Sequence, residues 1–244
     1  MAERPPVPRE HGAWGILLVP FATAVGGAGV WNLPVALLLV SVLCFYVART
    51  SWLKRNYRWT AILLAGSFAA AVPLVVVWKL WWLPAFGAVA AVLAVQPTSQ
   101  NLWRQLLAVP GLTLTAPAAW YVATGTLDYR LWLLNTLYFA GGVFYVRMHL
   151  AAATALRPHP HPNPLPVERG EGTRWKVGLP TLLYHGALAV VAVVWQPVGL
   201  AYIPAIARAF VGVIFLSPTL RIKRLGWTEV AHSVLFAALV IAIS

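Results

Sequence analysis

The chain has 244 residues, of which 60% are hydrophobic and 10% charged, and its mean hydropathy is +0.74. A soluble domain carries about 25% charged residues, so a water-soluble globule with one enclosed core is excluded. The formal net charge of +12 would suggest nucleic acid as a partner of a soluble chain; here the basic residues flank apolar runs, so the lipid bilayer is the expected partner and nucleic acid is not.

The chain opens on Pro8-Arg9-Glu10-His11-Gly12-Ala13-Trp14, and the apolar run from Gly15 to Val30 follows at once. Pro8 suits the start of a helix, where its missing N–H would be unpaired anyway. Glu10 then falls in the first turn, where a carboxylate complements the helix dipole. Arg9 and His11 are cations at the positive end of that dipole, so local helix physics does not account for them. Phe21-Ala22-Thr23-Ala24 has the form of a signal-peptidase site, but the apolar stretch before it is short and contains Pro20, and Glu10 stands where a basic region belongs; the segment is expected to stay on the chain. The one cysteine, Cys44, lies within an apolar run and leaves no intrachain disulfide.

Runs of roughly 17–25 apolar residues are the unit of a spanning helix. Nine are read along the chain, at 13–31, 33–50, 59–79, 80–96, 102–123, 130–150, 179–196, 198–217 and 228–244. The expected fold is therefore an all-α polytopic transmembrane bundle, a single domain over residues 1–244. With the N-terminus cytoplasmic, fifteen of the eighteen Lys and Arg residues fall on the inside, only Lys79 and Arg130 fall outside, and Arg208 lies within a span. Such a bias sets orientation, and an odd number of spans then puts the C-terminus on the outside, in the periplasm. All thirteen tryptophans fall near predicted span ends, where indole prefers the headgroup level.

Between the sixth and seventh spans, residues 157–172 run Arg157-Pro-His-Pro-His-Pro-Asn-Pro-Leu-Pro-Val-Glu-Arg-Gly-Glu-Gly172. Alternating prolines favour an extended, solvated chain. His159 and His161 can be read as a metal tract. The stretch also resembles the product of a translated bacterial interspersed DNA repeat, and it is taken as a cytoplasmic loop insertion, whose closure cost grows only slowly with length.

Arg208 stands near the centre of the eighth span, where an arginine costs ~2.5–3.5 kcal/mol on insertion scales. No acid is expected at that depth, so no ion-pair partner is predicted. Either Arg208 snorkels, helped by a kink at Pro204, or it faces a cavity and holds an anion or carbonyl-rich groups. The remaining unusual residues share one leaflet. Arg9, Glu10 and His11 open the first span, Arg147 and His149 close the sixth, and His185 lies inside the seventh. Glu229 and His232 open the ninth, three residues apart and so on one face. Gly141-Gly142 allow close helix approach, and Asn135 lies at the other end of the sixth span. A lone membrane-edge histidine such as His149 is ordinary. Clusters at one depth on separate helices instead predict a shared cytoplasm-facing polar pocket of Arg9, Glu10, His11, Arg147, His185, Arg208, Glu229 and His232.

Several chemistries lack their motifs. There is no Asp-rich sequence for a magnesium–diphosphate, no Walker loop, no Gly-x-Ser-x-Gly and no cysteine pair. Glu229-x-x-His232 has the spacing of half a carboxylate di-iron site, and the second half is missing. His11, His185 and His232 can be read together as metal or haem ligands, but no motif fixes them, so no metal is assigned and the cofactor is left open. An Arg and His anion site is the better match, since guanidinium suits phosphate and carboxylate. For an enzyme, His185, His232 and Glu229 are the candidate acid/base groups.

The motif Pro8-Arg9-Glu10-His11-Gly12-Ala13-Trp14 resembles the opening of the YwiC-like family of bacterial membrane proteins. Tyr138-Phe139, Val143-Phe144-Tyr145-Val146-Arg147, Tyr184-His185 and the stretch from Lys223-Arg224-Leu225-Gly226-Trp227-Thr228-Glu229 to Ala231-His232-Ser233 resemble it too. The resemblance implies a membrane protein and carries no mechanism with it. In architecture, nine helices with the N-terminus inside are similar to the UbiA-type intramembrane prenyltransferases. The two Asp-rich motifs of that type belong in loops that here begin Arg49-Thr-Ser-Trp-Leu-Lys54-Arg55 and Arg147-Met-His149, and their aspartates are absent. The leading expectation is a protein that binds an anionic lipidic or small amphipathic ligand from the cytoplasmic leaflet. The alternatives are a UbiA-like transferase working without magnesium-binding motifs, a transporter of a small anion centred on Arg208 and the proline-bearing helices, and a metal- or haem-handling or assembly protein.

Overall fold

The computed structural model describes residues 11–94, 101–155, 171–217 and 222–243. Among them every regular element is helical. The chain divides into two compact units, Met1–Thr136 and Leu137–Ser244, and the division falls inside one long helix.

The first unit contains α1 (His11–Ala28), α2 (Leu33–Leu53), α3 (Tyr57–Val76), α4 (Leu83–Ala94), α5 (Leu102–Thr113), α6 (Thr115–Thr124) and the start of α7 (Tyr129–Ala155). Three of these begin on an asparagine cap: the side chains of Asn32, Asn56 and Asn101 accept the N–H groups of Val35, Trp59 and Trp103 at 3.0, 3.3 and 2.9 Å. Each satisfies a donor that the helix start leaves unpaired. α2 and α3 form a tight hairpin whose turn passes through Arg55 in the left-handed region, φ 57°. They pack closely enough for Ser67 Oγ to donate to the Ser41 carbonyl at 2.9 Å.

α1 packs on α6, with Thr115 Oγ1 donating to Leu17 O at 3.0 Å. Thr23 lies one turn beyond Pro20 and donates to its carbonyl at 2.8 Å, and Asn135 Nδ2 donates in turn to Thr23 Oγ1 at 3.0 Å. Pro110 lies in α5 one turn before the break at Leu114, and its carbonyl takes Trp132 Nε1 at 2.9 Å. Residues 102–124 are thus one apolar stretch in two helical pieces.

The second unit holds the rest of α7, α8 (Glu171–Val194), a 3-10 turn (Val198–Tyr202), α9 (Ile203–Ile214) and α10 (Ile222–Ile243). Its core gathers Tyr145, Met148, Ala152, Ala209, Val213 and Leu216. Tyr138 stacks on Phe236 with centroids 4.0 Å apart, and Phe144 on Tyr184 at 4.7 Å.

Many of the fully buried side chains are small, and many large apolar ones face outward. Ala24, Ala116, Ala119, Ala152 and Ala209 are completely buried, whereas Val76, Val193, Val194 and Phe215 are exposed. In water this arrangement would be penalised, while in lipid it is the expected one, because packing rather than apolar burial joins the helices. Leu33–Leu53, Tyr57–Val76, Leu102–Thr124, Arg174–Val194 and Lys223–Ile243 are long and apolar enough to cross a membrane. Trp14–Ala28, Leu83–Leu93 and Val198–Ile214 are shorter apolar helical stretches. With α7, helical segments among the described residues occupy all nine predicted stretches. The bounds differ most for α8, which starts at Glu171, and α10, which starts at Ile222. The chain is a helical membrane protein. The insertion at 157–172 lies outside the described residues up to Gly170, so its two histidines do too.

Candidate functional site

The polar side chains of the second unit are organised by α7. Tyr138, Gly141, Gly142, Tyr145 and His149 recur at helical spacing along it, and each meets a different neighbour. The two glycines make room for side chains of other helices. A Cβ at Gly141 would stand 3.1 Å from His185 Nε2, and one at Gly142 would stand 3.5 Å from Glu229 Oε2. Further along, Tyr145 lies over Gly212 of α9, where a Cβ would come within 2.7 Å of its ring.

Arg208, from α9, sits at the centre of this group. Its guanidinium carbon is 4.2 Å from the centroid of the Tyr145 ring, a cation–π contact. Its Nη1 donates to Glu229 Oε1, forming an ion pair between α9 and α10. The two side chains are 10% and 17% exposed. The prediction that Arg208 has no acidic partner is therefore corrected. The reason is the start of α10: with the helix beginning at Ile222 rather than 228, Glu229 lies about two turns inside it, deep enough to reach Arg208.

His149 packs edge-on against Tyr145 with centroids 4.6 Å apart. His185 is completely buried, and its Nδ1 is 2.8 Å from the Thr181 carbonyl. A carbonyl only accepts, so Nδ1 carries the hydrogen, and in the neutral ring Nε2 presents a bare lone pair. His232 repeats the pattern with Thr228 O at 2.8 Å. The charge of Arg208 also acts on Tyr138, His149 and His185. Three atoms of this group are buried without a hydrogen-bond partner: His149 Nε2, His185 Nε2 and Arg208 Nε.

Of the residues singled out in the sequence, His185, Arg208 and Glu229 are thus drawn to one face of α7. Arg147 is half-buried on α7, and His232 is half-buried on α10. Arg9 and Glu10 lie outside the described residues, while His11 is the first residue of α1 in the other unit. Nothing in the sequence alone marks Tyr138 or Tyr145 as site residues, and His149 reads there as an ordinary interfacial histidine. The signal that could have found them is their spacing, residues 138, 145 and 149 at i, i+7 and i+11 of one helix. Among the described residues no group of three or more His, Cys, Asp or Glu side chains is placed to hold a metal ion.

The grooves elsewhere are of another kind. One in the first unit is lined by Trp82, Phe86, Val89, Leu93, Pro110 and Trp132, and one in the second by Val193, Leu200, Ile203 and Ile206 among others. Both are almost wholly apolar. No curated protein and no solved structure matches the chain. Residues 7–120 match the family model described as YwiC-like protein, the family that the sequence resembles.

Proposed function

We propose that the chain is a multi-pass protein of the bacterial inner membrane, N-terminus cytoplasmic and C-terminus outside, that holds an anionic lipidic or small amphipathic ligand at Arg208. The observation that carries this reading is the set of orphaned polar atoms around that guanidinium. A buried polar group without a partner costs roughly 1–3 kcal/mol, and three such atoms lie in the second unit with the Arg208–Glu229 ion pair. A ligand that accepts from Arg208 Nε and donates to a histidine Nε2 would satisfy them together. Guanidinium geometry favours the oxygens of a carboxylate or phosphate over other acceptors.

Native mass spectrometry of gently extracted protein tests the reading. The wild type is expected to carry a ligand mass that is lost in the double variant Arg208→Met with Glu229→Gln. That variant removes both charges at once and leaves no buried charge unpaired, so its fold should survive, as thermal unfolding would show. A wild type without added mass, or a double variant that keeps it, would overturn the proposal.

A further inference from the structure

Arg208 is not an open cation. Glu229 occupies Nη1 at one end of the guanidinium, while Nε, on the other edge, has no partner. That edge is the side of the planar fork that takes two oxygens of one carboxylate or phosphate. As long as Glu229 stays, however, its charge cancels most of the attraction that Arg208 could exert on an incoming anion. Both partners are largely enclosed, the arginine side chain being 10% exposed and the glutamate side chain 17%. Glu229 lies about two turns from the start of α10, close to the basic pair Lys223 and Arg224, which are exposed. Arg208 is also held over the Tyr145 ring, so of the two partners Glu229 is the one with the fewer ties to break.

Building on the ligand reading above, we propose that Glu229 is a resident stand-in for the ligand. It supplies the counter-charge of Arg208 from Nη1 when the site is empty and gives way to the ligand's own oxyanion, carboxylate or phosphate, when one enters at the Nε edge. The exchange leaves the charge at Arg208 balanced before and after. It also unties α10 from α9, so that occupancy of the site is felt at the start of α10.

The experiment uses the full chain in nanodiscs of neutral phosphatidylcholine, with dodecyl phosphate and inorganic phosphate as probes. Glu229→Gln keeps the shape of the carboxylate and removes its charge. It is expected to bind dodecyl phosphate at least ~10-fold more tightly than the wild type, a change of about 1.4 kcal/mol. Arg208→Met with Glu229→Gln is expected not to bind it. Glu229→Asp, which keeps the charge on a shorter arm, should fall between wild type and Glu229→Gln, and it serves if the glutamine variant does not fold. Tighter binding confined to dodecyl phosphate identifies a lipid headgroup as the source of the oxyanion, and tighter binding of both probes identifies a free anion; either supports the exchange. Glu229→Gln equal to or weaker than wild type, with both above the double variant, would overturn the exchange and leave the ligand site standing. Glu229→Gln no better than the double variant would overturn both.

Discussion

Gly178 and Gly186 lie about two turns apart on α8 and meet opposite surroundings. A Cβ at Gly178 would stand 2.6 Å from Cγ1 of the buried Val213, whereas at Gly186 nothing lies within 4 Å. Gly178→Ala is therefore expected to lower stability by roughly 1–3 kcal/mol through overpacking. Gly186→Ala should raise it by ~0.5–1 kcal/mol, because alanine loses less backbone freedom in a helix. Thermal unfolding in a neutral detergent reads both, and shifts of the same sign would contradict the packing described. The same contrast explains what was legible at Arg208. Its cost in a membrane is evident from its position in an apolar run, so its singularity could be read directly. Its partner could not, because Glu229 is 21 residues away and its depth depends on where α10 begins. Tyr145 was hidden for a similar reason, since a tyrosine is ordinary until a guanidinium is set over its ring.

At the level of elements, the asparagines before α2, α3 and α5 carry a signal that short-range physics fixes. Asn32 accepts from Val35 N, and α2 then continues through Pro34 in its first turn. Asn32→Ala should cost about 1 kcal/mol, the usual worth of such a cap, whereas Asn32→Asp, which still accepts, should cost less. Equal losses in the two variants would show that the side chain matters for something other than capping. The broken stretch from Leu102 to Thr124 was only half legible. Pro110 announces a disturbance, but the division at Leu114 depends on partners brought from elsewhere in the unit. Trp132 bonds the Pro110 carbonyl, and Thr136 bonds Thr113 at 2.7 Å. Without those groups, the carbonyls freed at the break would face lipid, which a membrane segment does not tolerate.

For the whole molecule the proposed topology has a direct test. A periplasm-dependent phosphatase fused after Ser244 should be active, and a cytoplasm-dependent fluorescent reporter at the same point should be dark. The reverse pattern would mean that one of the nine helical stretches does not cross, and the short α4 would be the first to re-examine. The sequence by itself determined the class of the protein, its helical character and the places where its helices lie, because hydropathy, charge flanks and caps act over a few residues each and need no partner. It also marked His185, Arg208 and Glu229 as costly in lipid. Only the tertiary structure decided which costly groups meet. That depends on the crossing of helices distant in the chain, on Gly141, Gly142 and Gly212 admitting side chains from α8, α10 and α7, and on the turn of α10 that carries Glu229 to Arg208. A pairing of this kind has no local signature, since each partner alone is only an expensive residue and the free energy of the pair exists only once the helices are packed.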